Sequence, residues 1–317
     1  MLNGHCNESI ASDDIFQIVR SANLEGVTPL LFNSLIDLFP GSALNQQIQH
    51  DFRQDTARAI LLQEERQHVL HHLEPSNPII LKGEALAYAC YNHYRDRPMV
   101  DLDLLIDESL TSTVDTELFN RPALQGSLSY QDLFDTAQHG VHPSGIIPRT
   151  AHLLLHAILH LLAHHFYSRL LIWLYDIKLL LDKLDESECR AIVSVCRKHK
   201  ITAVVLEAID ASSQVFPHDR HDLVAELRDM TASQDLPHFT GGLENTDNQS
   251  SILLQDWKYL REGRQRRAWL RQHLAPPPGY LRQKYKLTGN WPLPFFICGE
   301  YSGEALNSSL QNRICIL

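Results

Sequence analysis

The stretch that decides the fold is IILKGEALAYACYNHYRDRPMVDLDLLI, residues 79–106. It opens with a short apolar run that ends at Lys82-Gly83, and a segment with the period of a helix follows. After a turn at 95–98, residues 100–106 alternate between apolar and polar, which is the period of a β-strand. The order of strand, glycine turn, helix, turn and strand predicts a small sheet.

The sequence on both sides of this stretch has the period of helices. Apolar residues recur at helical spacing through 14–73, before two prolines stop the last helix. Beyond the sheet, further helices are predicted at about 131–138, 149–166, 168–185, 187–198 and 202–210. We therefore expect an α+β protein, with a small mixed sheet embedded in a largely helical chain. Its predicted parts are a helical N-terminal cap (1–75), a core (76–135) and a helical C-terminal region (136–317).

The composition excludes some classes of function. The formal net charge is -10 at pH 7, which argues against broad nucleic-acid binding because such binding needs a basic surface. The cysteines are scattered without a CxxC pair, which is typical of reduced thiols in the cytosol. Polar residues interrupt the most apolar stretch, 151–181, and no signal pattern is visible. We expect a cytoplasmic protein without a membrane span.

Two carboxylates share one face of the second predicted strand. Because side chains alternate along a strand, Asp101 and Asp103 project in the same direction. Carboxylates this close repel each other, and a divalent cation such as Mg²⁺ between them removes the repulsion. The pair therefore predicts a metal site, although a strand with a solvated acidic face is the alternative interpretation.

The glycine turn predicts a phosphate site beside these acids. Gly83 opens a helix, and the free backbone N–H groups at a helix start favour phosphate. Lys82, Arg95 and Arg97 lie nearby in sequence, where together they would neutralise a triphosphate. In the alternative interpretation, Gly83 only permits a tight turn and Glu84 complements the helix dipole.

The segments 81–87 (LKGEALA) and 97–106 (RPMVDLDLLI) resemble a known family. They look like the uncharacterised bacterial nucleotidyltransferases of the DNA polymerase beta-like superfamily. Further matching segments lie at 148–165, 173–176 and 280–285, so that the resemblance spans most of 14–295.

The resemblance implies a nucleotidyltransferase-like sheet and a Mg²⁺-dependent transferase activity. The donor would be an NTP, with AMP the favoured group because ATP is abundant, and the acceptor is not identified by the sequence. Two Mg²⁺ ions would be held through Asp101 and Asp103, while an acceptor hydroxyl attacks the α-phosphorus in line and pyrophosphate leaves. Lys82, Gly83 and the two arginines would bind the nucleotide.

Two features depart from the family pattern. Glu84 stands where members with the best-known motif carry serine after glycine. The third carboxylate, usually several tens of residues after the pair, has its nearest match at Asp115 within a possible return strand, 114–119. A tight hairpin would place Asp115 opposite Asp103 and complete the metal site. A catalytically weakened binding or regulatory protein is the alternative if it does not.

A histidine stripe and a basic segment offer further candidate sites. His152, His156, His160 and His164 recur every four residues, so that neighbouring pairs fit a transition metal and a metal hydrolase is a second rival. The favoured interpretation is that they border the nucleotide cleft or pack against Phe166 and Trp173, and that one or two of them, His160 or His164, contact the ligand. The basic segment 258–271 is predicted to be a solvated helix face or a surface for a protein or peptide partner.

Overall fold

The fold is α+β, as the sequence predicts. A computed structural model describes residues 12–32, 43–99, 101–106, 128, 130–164, 170–233, 257, 263, 266–267, 269–270 and 313–316. The expected return strand at 114–119 and most of the basic segment 258–271 lie outside the described residues. No described helix is both long and apolar enough to cross a membrane.

Two helices precede the sheet, α1 (Ser12–Leu24) and the long α2 (Ala43–Leu73). The central unit follows as β1 (Ile79–Leu81), α3 (Lys82–Ala89) and β2 (Asp101–Leu105), the order that the sequence predicts. The later elements are α4 (Tyr130–Phe134), β3 (Gln138–His142), β4 (Gly145–Ile147), α5 (Thr150–His164), α6 (Leu171–Lys183), α7 (Glu186–His199), α8 (Thr202–Ser213), α9 (His221–Ser233) and β5 (Arg313–Ile316). Short 3-10 helices lie at Glu74–Ser76 and Tyr94–Asp96.

The described strands form one sheet in the order β3-β4-β1-β2-β5. β1 pairs antiparallel with β2 and parallel with β4, and β2 pairs parallel with β5. In the β1–β2 register, Leu81 lies opposite Asp103. The glycine turn, which directly follows β1, therefore lies beside the acidic strand.

The prediction of a helix over 131–138 is wrong beyond its first turn. Helix α4 ends at Phe134, and β3 and β4 then form an antiparallel hairpin that joins the sheet through β1. Close packing fixes the position of the hairpin, since a Cβ on Gly145 would lie 2.6 Å from Cδ1 of Ile80. Helix α9, which the sequence did not predict, buries Leu223 and Leu227 on one face.

The largest core joins the sheet to the helices that follow it. All three residues of β1 are fully buried, and Leu102 and Leu104 of β2 are buried with them. Each such side chain contributes about 1.5–3 kcal/mol on burial. The acidic strand is therefore held inside the protein, and its position is fixed by packing on the leucine side.

Candidate functional site

The glycine turn is tightly packed between β1 and α3. Lys82 has a φ of 51°, in the left-handed region that residues other than glycine rarely adopt. A Cβ on Gly83 would lie 2.9 Å from Cγ of Met99 and 3.6 Å from Nη1 of Arg97. The close approach of the 97–99 segment therefore favours a residue without a Cβ at position 83, and the φ of Gly83 itself is not positive.

The two acids of β2 differ in exposure. Asp103 is 2% exposed, whereas Asp101 is partly exposed at the start of the strand. The Lys82 ammonium donates to Oδ1 of Asp103 at 2.6 Å. Burial raises the pKa of Asp103, the Lys82 charge opposes this shift, and the Asp101 charge adds to it. Asp103 therefore lies where a negative charge is costly and a nearby cation is favoured.

Arg97 is bound to the helical region and is not open to solvent. Its Nε lies 3.1 and 3.0 Å from the two oxygens of Asp176 on α6, and Nη2 lies 2.9 Å from Oδ2. Nη1 donates to the Pro98 carbonyl, and the Tyr91 hydroxyl donates to Asp176 at 2.6 Å. Burial, followed by the charge of Asp176, raises the pKa of Tyr91. This buried network joins the segment before β2 to α6.

Glu84 takes part in a second buried cluster. Its carboxylate accepts from Nη1 of Arg66 at 2.8 Å and from His142 at 3.2 Å. Because Nδ1 of His142 accepts from the Ser144 backbone N–H, its Nε2 carries the hydrogen that Glu84 accepts. The residue that departs from the family motif is thus neutralised inside the protein, by partners on α2 and β3.

The histidines of α5 lie in the packed interior or beside it. Nδ1 of His152 lies 2.7 Å from the Thr136 hydroxyl, and burial lowers the pKa of this histidine. The rings of His156 and His160 are parallel, with centroids 6.1 Å apart. The His164 side chain lies outside the described residues. Within the described part of the chain, no group of three or more His, Cys, Asp or Glu residues is placed to hold a metal ion.

The structure brings together most of the residues that the sequence selected around the glycine turn. Lys82 contacts Asp103, and the charge of Asp101 acts on both Asp103 and Arg97. Arg95 is exposed on the 3-10 helix before β2. Asp115 lies outside the described residues, so its role as a third ligand stays a prediction.

The donor chemistry of the acid pair fits Mg²⁺. Asp101 and Asp103 offer the hard oxygen ligands that this ion prefers in proteins. The contact of the Lys82 ammonium with Asp103 shows that a positive charge fits against the buried carboxylate. A Mg²⁺ site at these two acids, with Asp115 as a further ligand, therefore stays a prediction.

Comparison with known proteins supports the resemblance. Residues 11–121 match the model of a family described as uncharacterised nucleotidyltransferase. The match includes the glycine turn, both acids of β2 and Asp115, and it is shorter than the 14–295 range over which the sequence resembles such proteins. Neither a curated protein nor a solved structure matches the chain.

Proposed function

We propose that the protein transfers a nucleoside monophosphate from an NTP to an acceptor hydroxyl, because residues 11–121 match the model of a family described as uncharacterised nucleotidyltransferase. AMP from ATP is the first combination to test. The observation that carries the proposal is the acid pair of β2 beside the glycine turn, in which Asp103 is buried and in contact with Lys82.

The proposed reaction needs only the NTP and the acceptor hydroxyl as reactants. The acceptor oxygen forms a bond to the α-phosphorus, the bond from that phosphorus to the bridging oxygen of pyrophosphate breaks, and the acceptor proton is released. Mg²⁺ bound at Asp101 and Asp103 would neutralise the charge of the triphosphate. Backbone N–H groups at Gly83 and the Lys82 ammonium would bind its phosphate oxygens.

Asp176 is proposed as a positioning residue for this site. It holds Arg97 by three donor contacts, and Nη1 of the same guanidinium lies 3.6 Å from the position of a Cβ on Gly83. The ion pair therefore holds Arg97, and with it the segment before β2, beside the glycine turn. A turn that is already held in place needs no rearrangement when a phosphate binds.

Labelled nucleotides test the reaction class. The protein is incubated with Mg²⁺ and heat-inactivated cell extract, using NTPs that carry the label on either the α- or the γ-phosphate, and the label transferred by extract alone is subtracted. We expect transfer of the α-label only, and its loss in Asp103→Asn. Asp182→Asn is the matched control, since Asp182 pairs with Lys178 on the surface of α6. Transfer of the γ-label would contradict the proposal, because it would identify a kinase.

A catalytically weakened protein that binds nucleotide or a partner is the second candidate. It is favoured by the contact between Lys82 and Asp103, since a permanent ammonium at this carboxylate would take the place of a metal ion. A well-folded protein that binds neither Mg²⁺ nor any NTP would support this candidate over the first.

A further inference from the structure

We propose that Lys82 is a built-in counter-ion of the Asp101–Asp103 pair, which a divalent cation must displace in order to bind. Lys82 would thus hold the acid pair in a closed, charge-neutralised form until metal and nucleotide arrive. The inference rests on the proposed function, because it assumes that the acid pair binds a divalent cation.

The first support is the geometry of the ion pair. Nζ of Lys82 lies 2.6 Å from Oδ1 of Asp103, whose side chain is 2% exposed. A carboxylate with so little access to water needs a partner of opposite charge to stay ionised. A divalent cation would need the same oxygen, so that metal and ammonium compete for one carboxylate.

The second support is the backbone at Lys82. A φ of 51° is unfavourable for a lysine, whereas a glycine would adopt it freely. Such conformations persist where surrounding contacts fix them, and they are concentrated at functional sites. The register between Leu81 and Asp103 brings this residue next to the acidic strand. The side chain of Lys82 therefore supplies what a glycine would lack, a cation for Asp103.

The third support is that the Lys82 side chain can move away from Asp103 more easily than Arg97 can move away from Asp176. Arg97 is held by Asp176 and by the Pro98 carbonyl. The side chains of Arg97 and Asp176 are 10% and 2% exposed. Within the described residues, Lys82 donates to one carboxylate, and its side chain is 21% exposed. A flexible lysine with one contact moves to solvent or to a phosphate at lower cost than a bidentate arginine.

Mn²⁺ binding tests the competition directly. Mn²⁺ is titrated without nucleotide into the unmodified protein and into Lys82→Met, and free Mn²⁺ is followed by electron paramagnetic resonance. We expect Lys82→Met to bind Mn²⁺ about tenfold more tightly, because a positive charge within a few ångströms of the ion is removed. Lys178→Met is the matched control, since Lys178 contacts Asp182 at the same 2.6 Å on an exposed part of α6. Its Mn²⁺ affinity should equal that of the unmodified protein.

The possible results separate this inference from the proposed function. Unchanged or weaker Mn²⁺ binding in Lys82→Met would overturn the counter-ion role while leaving the metal site intact. Absence of binding in both proteins, with folding confirmed by circular dichroism, would overturn the metal site and the inference with it. If Lys82→Met does not fold, Lys82→Gln provides the same comparison, since an amide still donates to Asp103 but carries no charge.

Amine labelling provides a readout on the unmodified protein. An amine-reactive acylating reagent is applied with and without Mn²⁺, and each lysine is quantified by mass spectrometry. We expect labelling of Lys82 to rise several-fold with Mn²⁺, while Lys178 in the same digest is unchanged. Equal labelling of Lys82 under conditions where Mn²⁺ is bound would contradict displacement.

Discussion

Substitution of Asp176 by Asn removes the charge that holds Arg97. The two side chains are 2% and 10% exposed, and three donor contacts of 2.9 to 3.1 Å join them. Asn keeps the shape of the side chain and an oxygen for the Tyr91 hydroxyl, but it removes the carboxylate that contacts the buried guanidinium. Loss of one partner from a buried ion pair costs about 3–5 kcal/mol. We expect the free energy of unfolding to fall by this amount.

Urea denaturation of a double-mutant cycle measures this effect. The cycle comprises Asp176→Asn, Arg97→Met and the double variant. Because each single variant leaves one charged or polar group unpaired, the double variant should lose less than the sum of the two, by about 2 kcal/mol. Asp210→Asn is the control, since Asp210 pairs with Arg228 at 2.8 Å with both side chains exposed. Exposed pairs contribute about 0–1 kcal/mol.

Two results would refute this reasoning. If Asp176→Asn lowers the free energy of unfolding no more than Asp210→Asn does, the Asp176 carboxylate does not stabilise the buried charge of Arg97. If the losses of the single variants add in the double variant, the two side chains do not act as a pair. In either case, Arg97 would not be positioned at the glycine turn by α6.

Three further predictions concern pH and packing. Burial raises the pKa of Asp103 above its usual 3.8. The free energy of unfolding should therefore fall as the pH rises from this value through the pKa of the folded protein. Urea denaturation should show a smaller fall in Asp103→Asn. Burial lowers the pKa of His152 from 6.5, so stability should fall as the pH drops below that value; thermal unfolding should show a smaller decline in His152→Asn. Gly83→Ala should cost about 1 kcal/mol in urea denaturation, because the added Cβ displaces the flexible Met99 side chain, and it should cost less when it is introduced into Met99→Ala.

The central part of the fold could be predicted because its sequence signals are local. The apolar run of β1, the glycine turn and the alternation in β2 each show their period within a few residues, and the structure has all three in the predicted order. The β3–β4 hairpin could not be predicted from its period. Its strands have five and three residues, and their pairing depends on contact with β1, which is distant in sequence.

The contacts of the candidate site show the same division. Asp101 and Asp103 were identifiable from spacing alone, and so was a cluster of basic residues around Gly83. Which acid each basic residue contacts was not identifiable from the sequence. Asp176 lies 79 residues after Arg97, and Glu84 lies 18 residues after Arg66. No periodic signal joins residues so far apart, and only the packed structure shows which base neutralises which acid.

Isothermal calorimetry of ATP binding tests the central claim most directly. ATP is titrated with and without Mg²⁺ into the unmodified protein and into the Asp101→Asn/Asp103→Asn variant, with folding of each checked by circular dichroism. We predict micromolar binding that requires both Mg²⁺ and the two acids. A well-folded protein that binds neither ATP nor another NTP in the presence of Mg²⁺ would contradict a nucleotide-donor site at this acid pair.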